Sequence, residues 1–205
     1  MRNPIILSAL FFMSACGSGE IEEAFNTSFY DLWDNEISQL PRPTVVPEVG
    51  TASVTSVLRL ETPDGVLQSV MPITLDFEAR SGQQLIGYAE NFVIDGQQVE
   101  GAVALDNGTI FPFSTASTVE SLADGKGNIN SSLYTEIPIT LPDGKLVNLR
   151  TALFSGGFVG DLEPSHILLE DDNAPGWYGS ASRLLTPDAD KFEINAQLRG
   201  AISAD

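Results

Sequence analysis

The sequence predicts an all-β protein, an antiparallel up-and-down β-barrel of about eight strands over residues 50–205. Three observations carry this. From residue 50 onward apolar residues recur at every second position in run after run, the period of a strand with one buried and one wet face. Asp64-Gly65, Asp95-Gly96, Asn107-Gly108, Asp124-Gly125 and Asp143-Gly144 are tight-turn dipeptides, because the left-handed backbone of hairpin turns suits these residues. No helical pattern of useful length follows residue 50. Short returns between strands favour antiparallel pairing over crossovers. A sheet of this size must hide its edges, which closure into a barrel achieves; a sandwich is the alternative.

The first element is a leader, residues 1–15. Arg2 supplies a positive start, and Ile5–Met13 is an almost wholly apolar run. A helix needs roughly 20 such residues to span a bilayer, so the run fits the core of a secretory signal instead. Met13-Ser14-Ala15-Cys16 resembles the lipobox of bacterial lipoproteins, with methionine where leucine is usual. That resemblance implies cleavage before Cys16, a diacylglycerol on its sulfur and acylation of the new amine. Cys16 is the only cysteine in the chain and is the predicted lipidation site. It is followed by Gly17-Ser18-Gly19, composition suited to a flexible tether. Aspartate, which marks inner-membrane retention in enteric bacteria, is absent after Cys16. The expected location is therefore the cell envelope, lipid-anchored at the outer membrane on its periplasmic or surface face.

Residues 16–49 form the lipidated tether. Ile21, Phe25, Phe29, Trp33 and Ile37 recur every four residues, an apolar stripe that predicts a short acidic helix packing on the domain or binding a partner. Deleting residues 20–40 is expected to leave the barrel folded. Pro41-Arg42-Pro43 and Pro47 end the helix and make residues 41–49 an extended linker.

The strands follow. Ala52, Val54, Ser56, Leu58 and Leu60 define the first inward face; Ile73, Leu75 and Phe77 the second; Leu85, Gly87, Ala89 and Phe92 the third; Val99, Gly101, Val103 and Leu105 the fourth. Leu133, Thr135, Ile137, Ile139 and Leu141 alternate next, then Val147, Leu149, Thr151 and Leu153, with Pro138 arguing for an edge or bulge. Phe192, Ile194, Ala196, Leu198, Gly200 and Ile202 form the last and cleanest run. Glycines in or beside strands, Gly87, Gly101 and Gly200 among them, suggest bends in a curved sheet. The wet faces carry Glu, Asp, Asn and Gln, which does not fit a lipid-facing outer-membrane barrel.

Pro47-Glu48-Val49-Gly50-Thr51-Ala52, Leu75-Asp76-Phe77, Leu85-Ile86-Gly87, Val99-Glu100-Gly101, Phe154-Ser155-Gly156-Gly157-Phe158-Val159-Gly160 and Trp177-Tyr178-Gly179-Ser180-Ala181 follow the barrel pattern in order. The chain resembles small proteobacterial lipoproteins that carry a barrel like that of transferrin-binding protein B, over roughly residues 47–203. The motifs are glycine spacings, and the glutamate that follows them in that family is missing. The resemblance implies an eight-stranded barrel on a lipid tether. It does not imply transferrin binding, since one lobe is all the chain can hold.

Ten Lys+Arg stand against 28 Asp+Glu, a net charge of −18. Such a chain repels phosphate backbones, so no nucleic acid is expected as partner. A protein partner with a basic surface is expected, steered by the acidic stretches Glu20–Glu36 and Asp161–Asp172. The chemistry-bearing residues are few. His166 is the sole histidine, no Gly-x-Ser-x-Gly elbow occurs, and no phosphate loop or dinucleotide fingerprint is present. Asp124–Asn130 places oxygens at alternate positions like a calcium loop, but Lys126 interrupts them. Asp161, Glu163 and Glu170–Asn173 read as an acidic loop. No catalytic residue, metal site or cofactor is predicted. The expectation is a non-catalytic barrel module that binds or interacts at the membrane surface. The alternative is a carrier holding a small apolar ligand inside the barrel. Large inward residues favour the first, small ones the second.

Overall fold

The computed structural model describes residues 19–41, 43, 45–111, 128–161, 163–179 and 191–204, with backbone alone for 19–25, 38, 171–179, 191 and 204. A helix, α1 (Gly19–Asn35), and a single 3-10 turn (Ile37–Gln39) precede ten strands. These are β1 (Thr51–Thr62), β2 (Gly65–Asp76), β3 (Leu85–Ile94), β4 (Gln97–Phe111), β5 (Asn128–Ile137), β6 (Ile139–Thr140), β7 (Leu146–Leu149), β8 (Ala152–Val159), β9 (His166–Gly179) and β10 (Lys191–Ala204). Eight close into an antiparallel barrel in the order β1-β2-β3-β4-β5-β8-β9-β10, and β10 pairs back onto β1. Because neighbours in the wall follow one another along the chain, the barrel is up-and-down. The small β6–β7 hairpin is an excursion between β5 and β8. β9 is long enough to pair with β8 through His166–Glu170 and with β7 through Gly176–Gly179.

The alternation sets which side chains fill the barrel. Val54, Ser56, Leu58 and Leu60 on β1 face inward opposite Ile73, Met71, Ser69 and Leu67 on β2. The other strands add Leu85, Ala89 and Phe92, then Val103 and Leu105, then Ile129, Leu133, Phe154 and Phe158, then Ile167, Leu169, Ile194, Ala196 and Leu198, in one continuous cluster. Phe92, Phe154 and Phe158 are among the largest fully buried side chains. Inward serines find carbonyls of the wall: Ser131 Oγ donates to Phe154 O at 3.1 Å and Ser69 Oγ to Glu90 O at 2.6 Å. The Glu90 carbonyl is displaced from the ladder by a bulge at Asn91, whose φ of 55° lies in the left-handed region.

Four local expectations are corrected. Pro138 breaks the expected run 133–141, so Ile137 turns outward and is 53% exposed. The run 147–153 is two strands, because the backbone leaves the ladder at Arg150 and Thr151. That break reverses the alternation, so Ala152 and Phe154 point inward and Leu153 is 66% exposed. Asn107-Gly108 is a bulge within β4 rather than a turn. Asp95-Gly96, by contrast, makes the β3–β4 hairpin with both residues at positive φ. Asp124-Gly125 lies outside the described residues. The stretch Glu170–Asn173, read as loop, belongs to β9; its acids occupy consecutive positions and mask the period of two.

Outside the barrel, α1 crosses the strands. Asn26, Tyr30, Trp33 and Ile37 are buried, one helical turn apart. A turn advances about 5.4 Å and strands lie about 4.8 Å apart, so each turn meets roughly the next strand. Tyr30 sits over β1 and β10, Trp33 over His166 of β9, and the preceding turns approach β2 and β3. Beneath them the outward-facing pair Gln68 and Val93 is buried. Of the expected stripe Ile21, Phe25, Phe29, Trp33 and Ile37, Trp33 and Ile37 are buried and Phe29 is half-buried, while the side chains of Ile21 and Phe25 lie outside the described residues. A strict four-residue spacing drifts around the helix, and the seated set runs through Tyr30 instead. The linker then turns over the end of the barrel. Pro41 O accepts from Gly160 N at 2.9 Å, and Gly50 O from Phe77 N at 3.0 Å. Between them Val46 joins the interior cluster near Phe77 and Phe158, whose rings lie 6.4 Å apart.

Candidate functional site

Among the described residues the interior is tightly packed at three glycines. A Cβ on Gly87 would lie 2.8 Å from Ile73 Cγ1, and one on Gly200 would lie 2.5 Å from Val54 Cγ1. On Gly101 it would meet Ile139 Cα at 2.6 Å. These glycines are small because their neighbours already fill the space, as expected at interior packing density. The outer surface divides into two halves.

The first half, β9-β10-β1-β2, is crossed by α1, which also approaches β3 and β4, and it holds Arg59 and Arg199. Arg199 and Arg59 point outward, with guanidinium carbons 4.3 and 5.4 Å from the Tyr30 ring centre. Arg199 also pairs with Asp34, and Arg59 with Glu61. Burial pushes the Tyr30 hydroxyl upward in pKa despite both arginines, so it stays protonated and donates to Gln197 O at 3.0 Å and Val57 O at 3.3 Å. His166 belongs to this dock. Its ring stands edge-on to Trp33 at 5.6 Å, and Nδ1 lies 2.9 Å from Ser165 Oγ. Desolvation holds its pKa below the ordinary value. Ser165 Oγ lies 3.2 Å from the Val159 carbonyl, so the Ser-His contact ties the β8–β9 connection to the helix dock.

The second half is the outer face of β3, β4, β5 and β8. Its register places Tyr88 beside Ala104, Ala104 beside Tyr134, and Asp106 beside Ser132, which neighbours Leu153. Ala102 and Ala104 point outward yet are 0% and 8% exposed. Tyr134 Oη donates to Asp106 Oδ2 at 3.1 Å. The carboxylates of Glu90 and Glu136 lie near the Tyr88 hydroxyl. Desolvation raises both phenol pKa values, and the neighbouring carboxylates add to it. Both rings therefore stay neutral hydrogen-bond donors. None of the four strands contains a lysine or arginine.

Cys16 and Asp124–Gly127 lie outside the described residues. Of the two acidic stretches expected to steer a partner, Asp31, Asp34 and Glu36 are exposed on α1, Asp161 and Glu163 between β8 and β9, and Glu170 on β9. The aromatic-acidic face formed by Tyr88, Tyr134, Glu90, Asp106 and Glu136 was not legible as a site, because its members come from three strands. The signal that could have found it is Ala102 and Ala104 on a wet face, where large polar residues are the norm. Comparison of the chain with protein-family models, with curated proteins and with solved structures finds no match.

Proposed function

We propose that the chain is a non-catalytic cell-envelope lipoprotein, anchored by a lipid on Cys16 at the outer membrane and presenting its barrel as a binding module for a protein partner with a basic surface. One observation supports the binding half of this reading: the described interior is packed so tightly at Gly87 and Gly200 that a methyl group there would clash, which favours a ligand met on the outside. The filling also weighs against the alternative of a small apolar ligand carried within. The lipobox Met13–Cys16 supports the anchor, and the resemblance to lipoproteins with a transferrin-binding-protein-B-like barrel supports the combination. The charge of −18 supports a basic partner. Fractionation tests the reading. Wild-type chain should sediment with membranes and Cys16→Ala should become soluble; a Cys16→Ala chain that stays in the membrane fraction overturns it.

A further inference from the structure

We propose that the outer face of β3, β4, β5 and β8 is the docking surface, and that its occupant is a protein segment bearing lysine or arginine side chains. This deepens, and rests on, the reading of the chain as a binding module. α1 lies against β9, β10, β1 and β2 and also approaches β3 and β4; on the outer face of β3, β4, β5 and β8, Ile86 is 56% and Leu153 66% exposed, with Tyr88 and Tyr134 between them. Half-buried tyrosines beside exposed aliphatic residues suit a contact surface, since aromatic rings bury large area with few rotatable bonds.

Charge selects the occupant. Elsewhere three bases pair with carboxylates of the fold: Arg59 with Glu61, Arg199 with Asp34, Lys145 with Asp64 and Asp143. On this face Asp106 accepts from Tyr134, Glu90 and Glu136 lie near the Tyr88 hydroxyl, and these four strands contain no lysine or arginine. A guanidinium or ammonium could stack on a tyrosine face, reach a carboxylate beside it, and lay its aliphatic stem on Ile86 or Leu153. An anionic lipid surface or a nucleic acid would meet repulsion at the same place.

The test uses the full-length chain and, as probe, a short synthetic peptide of alternating arginine and leucine, with a glutamate-leucine peptide as control. Carbodiimide labelling of carboxylates, read by mass spectrometry, should show Glu90, Asp106 and Glu136 protected by the arginine peptide and unaffected by the control. The triple variant Glu90→Gln, Asp106→Asn, Glu136→Gln should bind the arginine peptide at least about tenfold more weakly. A triple variant of equal charge change, Asp31→Asn, Glu36→Gln, Glu163→Gln, should bind within about twofold of wild type, as rim charges do. Tyr88→Phe keeps the ring and should bind, whereas Tyr88→Ala should lose affinity. Equal losses in the two triple variants, protection spread equally over Asp31, Glu36 and Glu163, or no binding of the arginine peptide each overturns the inference. If the first triple variant fails to fold, the labelling of the wild-type chain decides alone. A chain that is acylated at Cys16 but unprotected on this face loses only this inference.

Discussion

The Arg199 guanidinium lies 4.3 Å from the centre of the Tyr30 ring, on the outside of the barrel. Arg199 of β10 pairs directly with Val57 of β1, so this contact sits on the seam where the last strand closes onto the first. The Tyr30 hydroxyl donates to a carbonyl on each side of that seam, Val57 O and Gln197 O. The helix is therefore a strap across the closure of the wall.

Loosening the strap should cost stability without opening the barrel. Tyr30→Phe keeps the ring over Arg199 and loses the hydroxyl, an expected cost of about 1 kcal/mol. Tyr30→Ala also removes the packing, at about 3–5 kcal/mol, as for truncation of a large buried aromatic. Urea unfolding followed by circular dichroism measures both. A chain that begins at Pro41 should retain its strand signal while binding a hydrophobic dye at the uncovered Val57 and Val93. Equal stability of Tyr30→Ala and wild type would show that α1 is not docked as described.

A filled barrel and a hollow one respond oppositely to added volume. Gly200→Val places a side chain where Val54 Cγ1 and Ser56 Cβ already stand, and overpacking of this kind costs about 1–3 kcal/mol. The unfolding midpoint should fall accordingly. A midpoint that is unchanged or raised would mean that the interior holds spare volume, and the carrier alternative would regain its basis.

His166 should make stability depend on pH. Burial holds its imidazole below the ordinary value in the folded chain, so the unfolded chain takes the proton first as pH falls. The stabilising difference is full above about 6.5 and is lost as pH drops from there through the folded pKa. The urea midpoint of wild type should therefore fall between pH 7.5 and 5.5 by more than that of His166→Gln. Equal falls in the two proteins would remove His166 from the acid response.

What the sequence made legible follows from how far apart the deciding residues stand. The barrel rests on alternation within single strands, and runs such as Phe192–Ile202 announce it without help. Exceptions arise where backbone geometry resets the count. Pro138 turns Ile137 outward, the break at Arg150-Thr151 turns Leu153 outward, and Asn107 bulges rather than turns. The face of α1 was half visible, since Trp33 is marked by its size while Tyr30 earns its place through Val57, Arg199 and Gln197, which are distant in sequence. The aromatic-acidic face was not visible at all. Tyr88, Ala104 and Tyr134 become neighbours only once β3, β4 and β5 are in register, and no local pattern fixes that register.

The most direct test of the proposed role is the intact mass of the mature protein extracted from its own membrane. A lipid-anchored envelope module predicts a chain that starts at Cys16 and carries a diacylglycerol on sulfur and an acyl group on the new amine. A mature chain that starts elsewhere, or that starts at Cys16 without lipid, would contradict it.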